Sequence, residues 1–130
     1  MLALAAVAGS ARVLPSQRAI TAPDTVAIAA LARDLSSDAN RGRGPWTPEN
    51  ERVARQLARR LEQLGARPVF GTSVLVPFTT EPRPRDTVYN VVGVLPARGG
   101  TTSGELVGTT AHLDHLGVGP PDATGDSIYN

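Results

Sequence analysis

His112 and His115 are the only two histidines of the 130-residue chain, and they bracket Asp114 in the run Ala111-His112-Leu113-Asp114-His115-Leu116-Gly117. In extended backbone, residues two apart face the same way, so His112 and Asp114 project together while Leu113 and His115 project oppositely. That pairing suits a metal. One imidazole nitrogen can ligate zinc while a nearby carboxylate accepts the other ring N–H and holds the tautomer and ring orientation. A lone His-x-Asp step also occurs as a loop histidine hydrogen-bonded to an aspartate in proteins that bind no metal. His115, off the shared face, reads as a surface or packing histidine rather than a ligand. Two histidines and one aspartate fall short of either a closed or a catalytic zinc site. With no Cys in the chain, thiolate ligands, disulfides and a Cys nucleophile are excluded.

The elements that would carry this cluster follow from periodicity and capping. Thr21-Ala22-Pro23-Asp24 offers an N-cap hydroxyl with an acid three residues on, and Ile28, Leu31 and Leu35 then fall at helical spacing. A first helix is expected from about Pro23 to Ser36, ended by the turn-rich segment Ser37 to Trp46. Thr47 can cap a second helix, with Pro48 at its first position, Glu49 and Glu51 near the positive end of the dipole, and Gly65 closing it. Its apolar stripe is Val53, Leu57, Leu61 and Leu64. Beyond Gly65 the period changes, and strands are expected at Ser73 to Phe78, Thr87 to Leu95 and Glu105 to Leu113. The last two are expected to pair as antiparallel neighbours through Pro96 to Gly104, placing the His-x-Asp step at a strand's carboxyl end, where ligands gather in α/β sheets. Gly117 to Asn130 shows no periodicity.

Composition narrows the classes. A chain of this length with 41% hydrophobic residues can bury one modest core. With 4% aromatic residues, 13 Gly and 11 Pro, that core must rest on Val, Leu, Ile and Ala between many turns, which favours an α/β or α+β unit. Thirteen arginines against 12 acidic residues leave a net charge of +1, so no long-range field draws nucleic acid or anionic lipid. Arg52, Arg55, Arg59 and Arg60 on the second helix are interleaved with Glu49, Glu51 and Glu62, as on a solvated helix face. Met1 to Ala8 (MLALAAVA) resembles the apolar part of a secretory signal, although no basic residue precedes it, and it is too short to span a bilayer. Export, periplasmic or extracellular, is the expectation, with residues 1–20 as the signal remnant. No other stretch is suited to crossing a membrane.

The wider pattern is more specific than the His-x-Asp step. Asn90 to Pro96 (NVVGVLP), a turn, an apolar run into AHLDHLGVG, and then Gly125 to Asn130 (GDSIYN) resemble the start of the peptidase domain of the zinc aminopeptidases of metallopeptidase family twenty-eight. Upstream, Leu31 to Leu35, the Gly42-Arg43 pair and the helix ending LEQLGARP resemble the segment that precedes it. The resemblance spans roughly Thr21 to Asn130 in the family's order. It implies an α/β fold whose mixed central sheet is flanked by helices, with 21–130 forming the N-terminal part of the peptidase domain. It also implies two Zn2+ ions in the intact site, peptide substrates cleaved at their N-termini, His112 as the first zinc ligand, and Asp114 as the catalytic-site acid that orients it.

In such an enzyme a bridging aspartate follows shortly after this point, and a Glu-Glu pair then supplies the general base and a ligand. A further acid and a C-terminal His complete the centre. None of these is present here, so this chain is expected to be inactive alone, to hold zinc weakly and to expose apolar strand edges. Three rival readings fit part of the same pattern. One is a receptor-type binding protein on this fold that has lost its metal ligands, and a second is a single-zinc aminoacyl cyclase. The third is a nucleic-acid module built on the arginine-bearing helix, which would bind DNA with strong salt dependence.

Overall fold

The computed structural model describes residues 22–97 and 105–130. The signal-like segment at residues 1–20 lies outside the described residues. Two α-helices with a short 3-10 segment between them precede three small antiparallel sheets, so the content is mixed α and β. Among the described residues every strand pairing is antiparallel and two-stranded.

Helix α1 runs Thr25–Leu35, and Asp24, not Thr21, caps it: its carboxylate accepts the Ala27 N–H at 2.9 Å. Proline at position 23 favours extended backbone just before that cap, so the helix starts two residues later than the hydroxyl pattern suggests. None of its residues is buried, and Ile28 is exposed, so α1 contributes little to the core. What holds it is polar and sits at its C-terminal end. The buried Asn40 amide donates to the carbonyls of Asp34 at 2.6 Å and Leu35 at 3.2 Å, and Gln56 reaches the Asp34 carboxylate. These bonds satisfy carbonyls that a helix end otherwise leaves without partners.

Helix α2 (Pro48–Gln63) forms where its local chemistry dictates. Thr47 accepts the Asn50 N–H at 3.2 Å and Pro48 occupies the first position. At the other end Gly65 takes φ +88°, the Gly65 N–H reaches Glu62 O at 2.8 Å and the Ala66 N–H reaches Leu61 O at 3.1 Å. These are the paired bonds of a Schellman closure, which needs a left-handed residue at this place. The stripe is rotated from the expected one. Asn50, Val53, Ala54 and Ala58 are buried, whereas Leu64 stands 68% exposed beyond the last turn.

Against this face pack two strands, β2 (Leu75–Thr80) and β3 (Arg83–Val91), joined by a turn with a cis Glu81–Pro82 bond. Their register runs from Leu75 opposite Val91 to Thr79 opposite Thr87, then slips at Thr80. A second small ladder pairs β1 (Arg67–Pro68) with β4 (Gly93–Val94). The core is Val53, Ala54, Ala58, Ala66, Val74 and Val88, with Val53 and Val74 wholly buried. Gly93 passes so close that a Cβ there would stand 3.0 Å from Leu61 and 3.1 Å from Ala66.

The strand expected over Glu105 to Leu113 does not form, and neither does its hairpin with Thr87 to Leu95. β3 pairs instead with β2, and β4 with β1, so the segment from 105 to 113 has no ladder. Leu106 and Val107 are 87% and 98% exposed, and without a partner strand their β-preference has nothing to pack against. Conversely, the tail that shows no periodicity does pair. β5 (Gly117–Val118) and β6 (Ile128–Tyr129) form a two-residue ladder that docks on the segment between the two helices.

That segment, Asp38–Arg43, is 3-10 in part and then turns left-handed, with φ of 44° at Arg41, 63° at Gly42 and 47° at Arg43. Consecutive left-handed residues that are not all glycine are costly and persist only where surrounding contacts compensate. Here they do. Gly42 lies directly beneath the carbonyl oxygens of Gly117 and Tyr129, and Asn130 bonds to Asp38 at 2.9 Å. Among the described residues no helix is long and apolar enough to cross a membrane.

The loop inside the β5–β6 hairpin is organised by Asp122. Its carboxylate accepts the Thr124 N–H and Oγ1–H, both at 2.7 Å, and the Asp126 N–H at 3.0 Å. Those bonds favour the ionised form, so the Thr124 side chain first, then the Thr124 and Asp126 amides, hold its pKa below the usual carboxylate value. A depressed pKa contributes stability that is present above the unfolded-state value and is lost as pH falls through the folded value. The protection factors of the amides in residues 122–126, relative to the unstructured chain at the same pH, are therefore expected to fall on acidification below pH about 4. Asp122→Asn should show the lower protection already at neutral pH. Equal protection in both proteins at every pH would contradict this.

Candidate metal centre

The His-x-Asp step lies just before β5, in a stretch without regular structure whose path is set by the left-handed turn beneath it. Although no strand forms there, His112 and Asp114 are brought side by side, with His112 Nδ1 3.7 Å from Asp114 Oδ1. The closer partner is the Asp114 backbone. His112 Nδ1 stands 2.7 Å from the Asp114 carbonyl oxygen. A carbonyl can only accept, so Nδ1 carries the proton and, in the neutral ring, Nε2 keeps its lone pair. The imidazole is largely solvent-exposed, at 80% for the side chain, and that lone pair is open to a ligand from outside.

His115 behaves differently. It is half-buried, its Nδ1 lies 2.8 Å from the Tyr129 carbonyl, and its backbone N–H donates to Arg43 O at 3.1 Å. The ring therefore ties the loop to β6. Pro45, His112, Asp114, His115 and Leu116 line an open cleft of about 520 Å3.

Arg43 borders the candidate site and spacing did not single it out as a site residue, although the Gly42-Arg43 pair is part of the upstream segment that resembles the family. Its Nε donates to Leu113 O at 3.2 Å, a terminal nitrogen donates to Leu35 O, and its own carbonyl accepts from the Asn50 amide at 3.1 Å. A positive-φ arginine in a Gly-Arg-Gly triplet carries no periodic signal, so only its place beside Gly42 and Gly44 hinted at a turn.

The donor set fits one zinc ligand with a carboxylate beside it. Among the described residues no group of three or more His, Cys, Asp or Glu is gathered that could hold a metal ion. The arginines of α2 are partly engaged within the chain. Arg52 bonds to Ala39 O and Asn40 Oδ1, while Arg55 pairs with Glu51 at 2.6 Å and lies over the Tyr89 ring. Comparison of the chain with family models, curated proteins and solved structures finds no match.

Proposed function

We propose that this chain belongs to a zinc-dependent aminopeptidase, in which His112 is a metal ligand and Asp114 the acid that borders it. The observation that supports this most is the 2.7 Å approach of His112 Nδ1 to the Asp114 carbonyl, which leaves Nε2 with a free lone pair on a solvent-exposed residue of the cleft. The motif order around AHLDHLGVG, resembling metallopeptidase family twenty-eight, supplies the named activity. In this reading the fold belongs to a peptidase domain with a mixed central sheet, two zinc ions occupy the complete site, and the protein is exported. Peptides with a free N-terminus are the substrates.

The chemistry zinc supplies when bound is Lewis-acid activation of water and of the scissile carbonyl. This chain's residues do the positioning. His112 offers Nε2, Asp114 adds negative charge beside it, and Pro45 and Leu116 form apolar wall in the same cleft. Among the described residues no general base or further ligand is gathered beside His112. The isolated chain is therefore proposed to be inactive and to bind zinc weakly.

Zinc titration of the 130-residue chain, followed through the imidazole resonances, tests the ligand assignment. His112 is expected to shift first. His112→Ala should lower the affinity by at least about 100-fold, because a direct ligand is lost and removing only a hydrogen-bond partner of a ligand already costs about 10–100-fold. Asp114→Asn keeps the backbone carbonyl and should cost less. Zinc that leaves His112 unperturbed would remove the metal reading. For the aminopeptidase assignment, the protein carrying this sequence should release N-terminal residues from unblocked peptides. It should lose that activity on chelation and regain it with zinc.

A further inference from the structure

We infer that Arg43 is a positioning residue that sets the tautomer of His112 through the backbone. Arg43 grips the loop on both sides of Asp114. Its Nε donates to the Leu113 carbonyl at 3.2 Å, and its carbonyl accepts the His115 N–H at 3.1 Å. The His115 N–H and the Asp114 C=O belong to one peptide unit. No cis bond occurs here, and in a trans peptide the two groups point in opposite directions. Drawing the His115 N–H down onto Arg43 therefore turns the Asp114 carbonyl up, where it meets His112 Nδ1 at 2.7 Å.

The result is a chain of acceptors and donors running from the Arg43 carbonyl through one peptide to the imidazole. At its end Nδ1 must donate, and Nε2 is left as the outward lone pair. The arginine side chain is itself held, since its terminal nitrogen donates to Leu35 O at the end of α1 and its carbonyl also receives the Asn50 amide. The left-handed backbone at Arg43, φ 47°, fits this arrangement: it directs the carbonyl and the side chain of one residue at the same short loop. The tautomer follows from this geometry alone, whereas its consequence for zinc rests on the function proposed above.

The test is nitrogen-detected imidazole NMR on the metal-free 130-residue chain at pH about 9, where an ordinary imidazole is neutral. Wild-type His112 is expected to show the Nδ1–H form. Arg43→Gln keeps the carbonyl that receives the His115 N–H but removes the guanidinium bonds to Leu113 O and Leu35 O that hold the loop over it, so His112 should revert toward the Nε2–H form that unconstrained histidine favours, while Arg41→Gln, which removes the same charge two residues away, should leave it unchanged. Zinc affinity should fall about 10–100-fold in Arg43→Gln and not in Arg41→Gln.

A wild-type His112 in the Nε2–H form overturns the inference even if Arg43→Gln proves unable to fold. So does an Nδ1–H form that persists in a folded Arg43→Gln. If the tautomer switches as expected but zinc never perturbs His112 in the wild type, the positioning role stands and the zinc assignment falls.

Discussion

Gly42→Ala is expected to lower the stability of the chain by about 3 kcal/mol or more, and to dissolve the junction on which the His112 loop rests. Two costs combine at this residue. Its φ of 63° is a conformation that side chains rarely adopt. More important, an added Cβ would drive into the carbonyl oxygens of Tyr129 and Gly117, which are backbone atoms with no side-chain torsion to relieve the clash. Gly65→Ala separates the two. Gly65 has φ +88° but nothing within 4 Å of the added Cβ, so it should lose only about 1 kcal/mol. Urea melts of the two variants check the difference, and similar losses would show that backbone conformation, not close approach, governs Gly42.

The second large effect is expected at Asn40, where Asn40→Ala should cost about 2 kcal/mol and free helix α1. Asn40 is 5% exposed, its amide caps two carbonyls of α1, and its Oδ1 accepts from Arg52 at 2.8 Å. Alanine would remove all three bonds, leaving the Asp34 carbonyl with only the Ser37 N–H, Leu35 O with only Arg43, and Arg52 with only Ala39 O. Because no residue of α1 is buried, little apolar contact remains to hold it, and an 11-residue helix is marginal alone. Far-UV circular dichroism should therefore lose helix signal in Asn40→Ala, and the α1 amides should exchange faster than those of α2. Unchanged helix content would mean that α1 is held by something other than the Asn40 amide.

Where local chemistry decides structure, the chain was legible. Thr47, Pro48 and Gly65 mark the ends of α2 within a residue of where they fall, because caps and closures involve neighbours only. The strand pattern beyond Gly65 located β2 and β3 to within a few residues, but not their partnership. Glu105 to Leu113 carries a β-rich composition without a partner to pair with, and composition alone cannot supply one. The left-handed run at Arg41 to Arg43 was opaque for a similar reason. It is stabilised by Gly117 and Tyr129, far along the chain, and the neighbouring glycines announce a turn but not its left-handed run.

At the candidate site, residue types anticipated that His112 and Asp114 would lie together, which they do at 3.7 Å. They did not anticipate that the nearer acceptor is the Asp114 carbonyl, since a main-chain oxygen is common to every residue type. The bond from His115 to Tyr129 depends likewise on a tertiary approach.

The grip of Arg43 on Leu113 joins residues 70 positions apart, and this has a consequence for the order of folding. Contacts of such separation must overcome a larger loop-closure entropy than a hairpin or a helix turn, so they form late. The β2–β3 hairpin and α2 can assemble from neighbouring sequence, while the His112 loop acquires its geometry only when the distant tail closes onto the turn. Partly folded chains would then carry His112 without its aligned carbonyl, and their imidazole would be an ordinary surface histidine until that last closure.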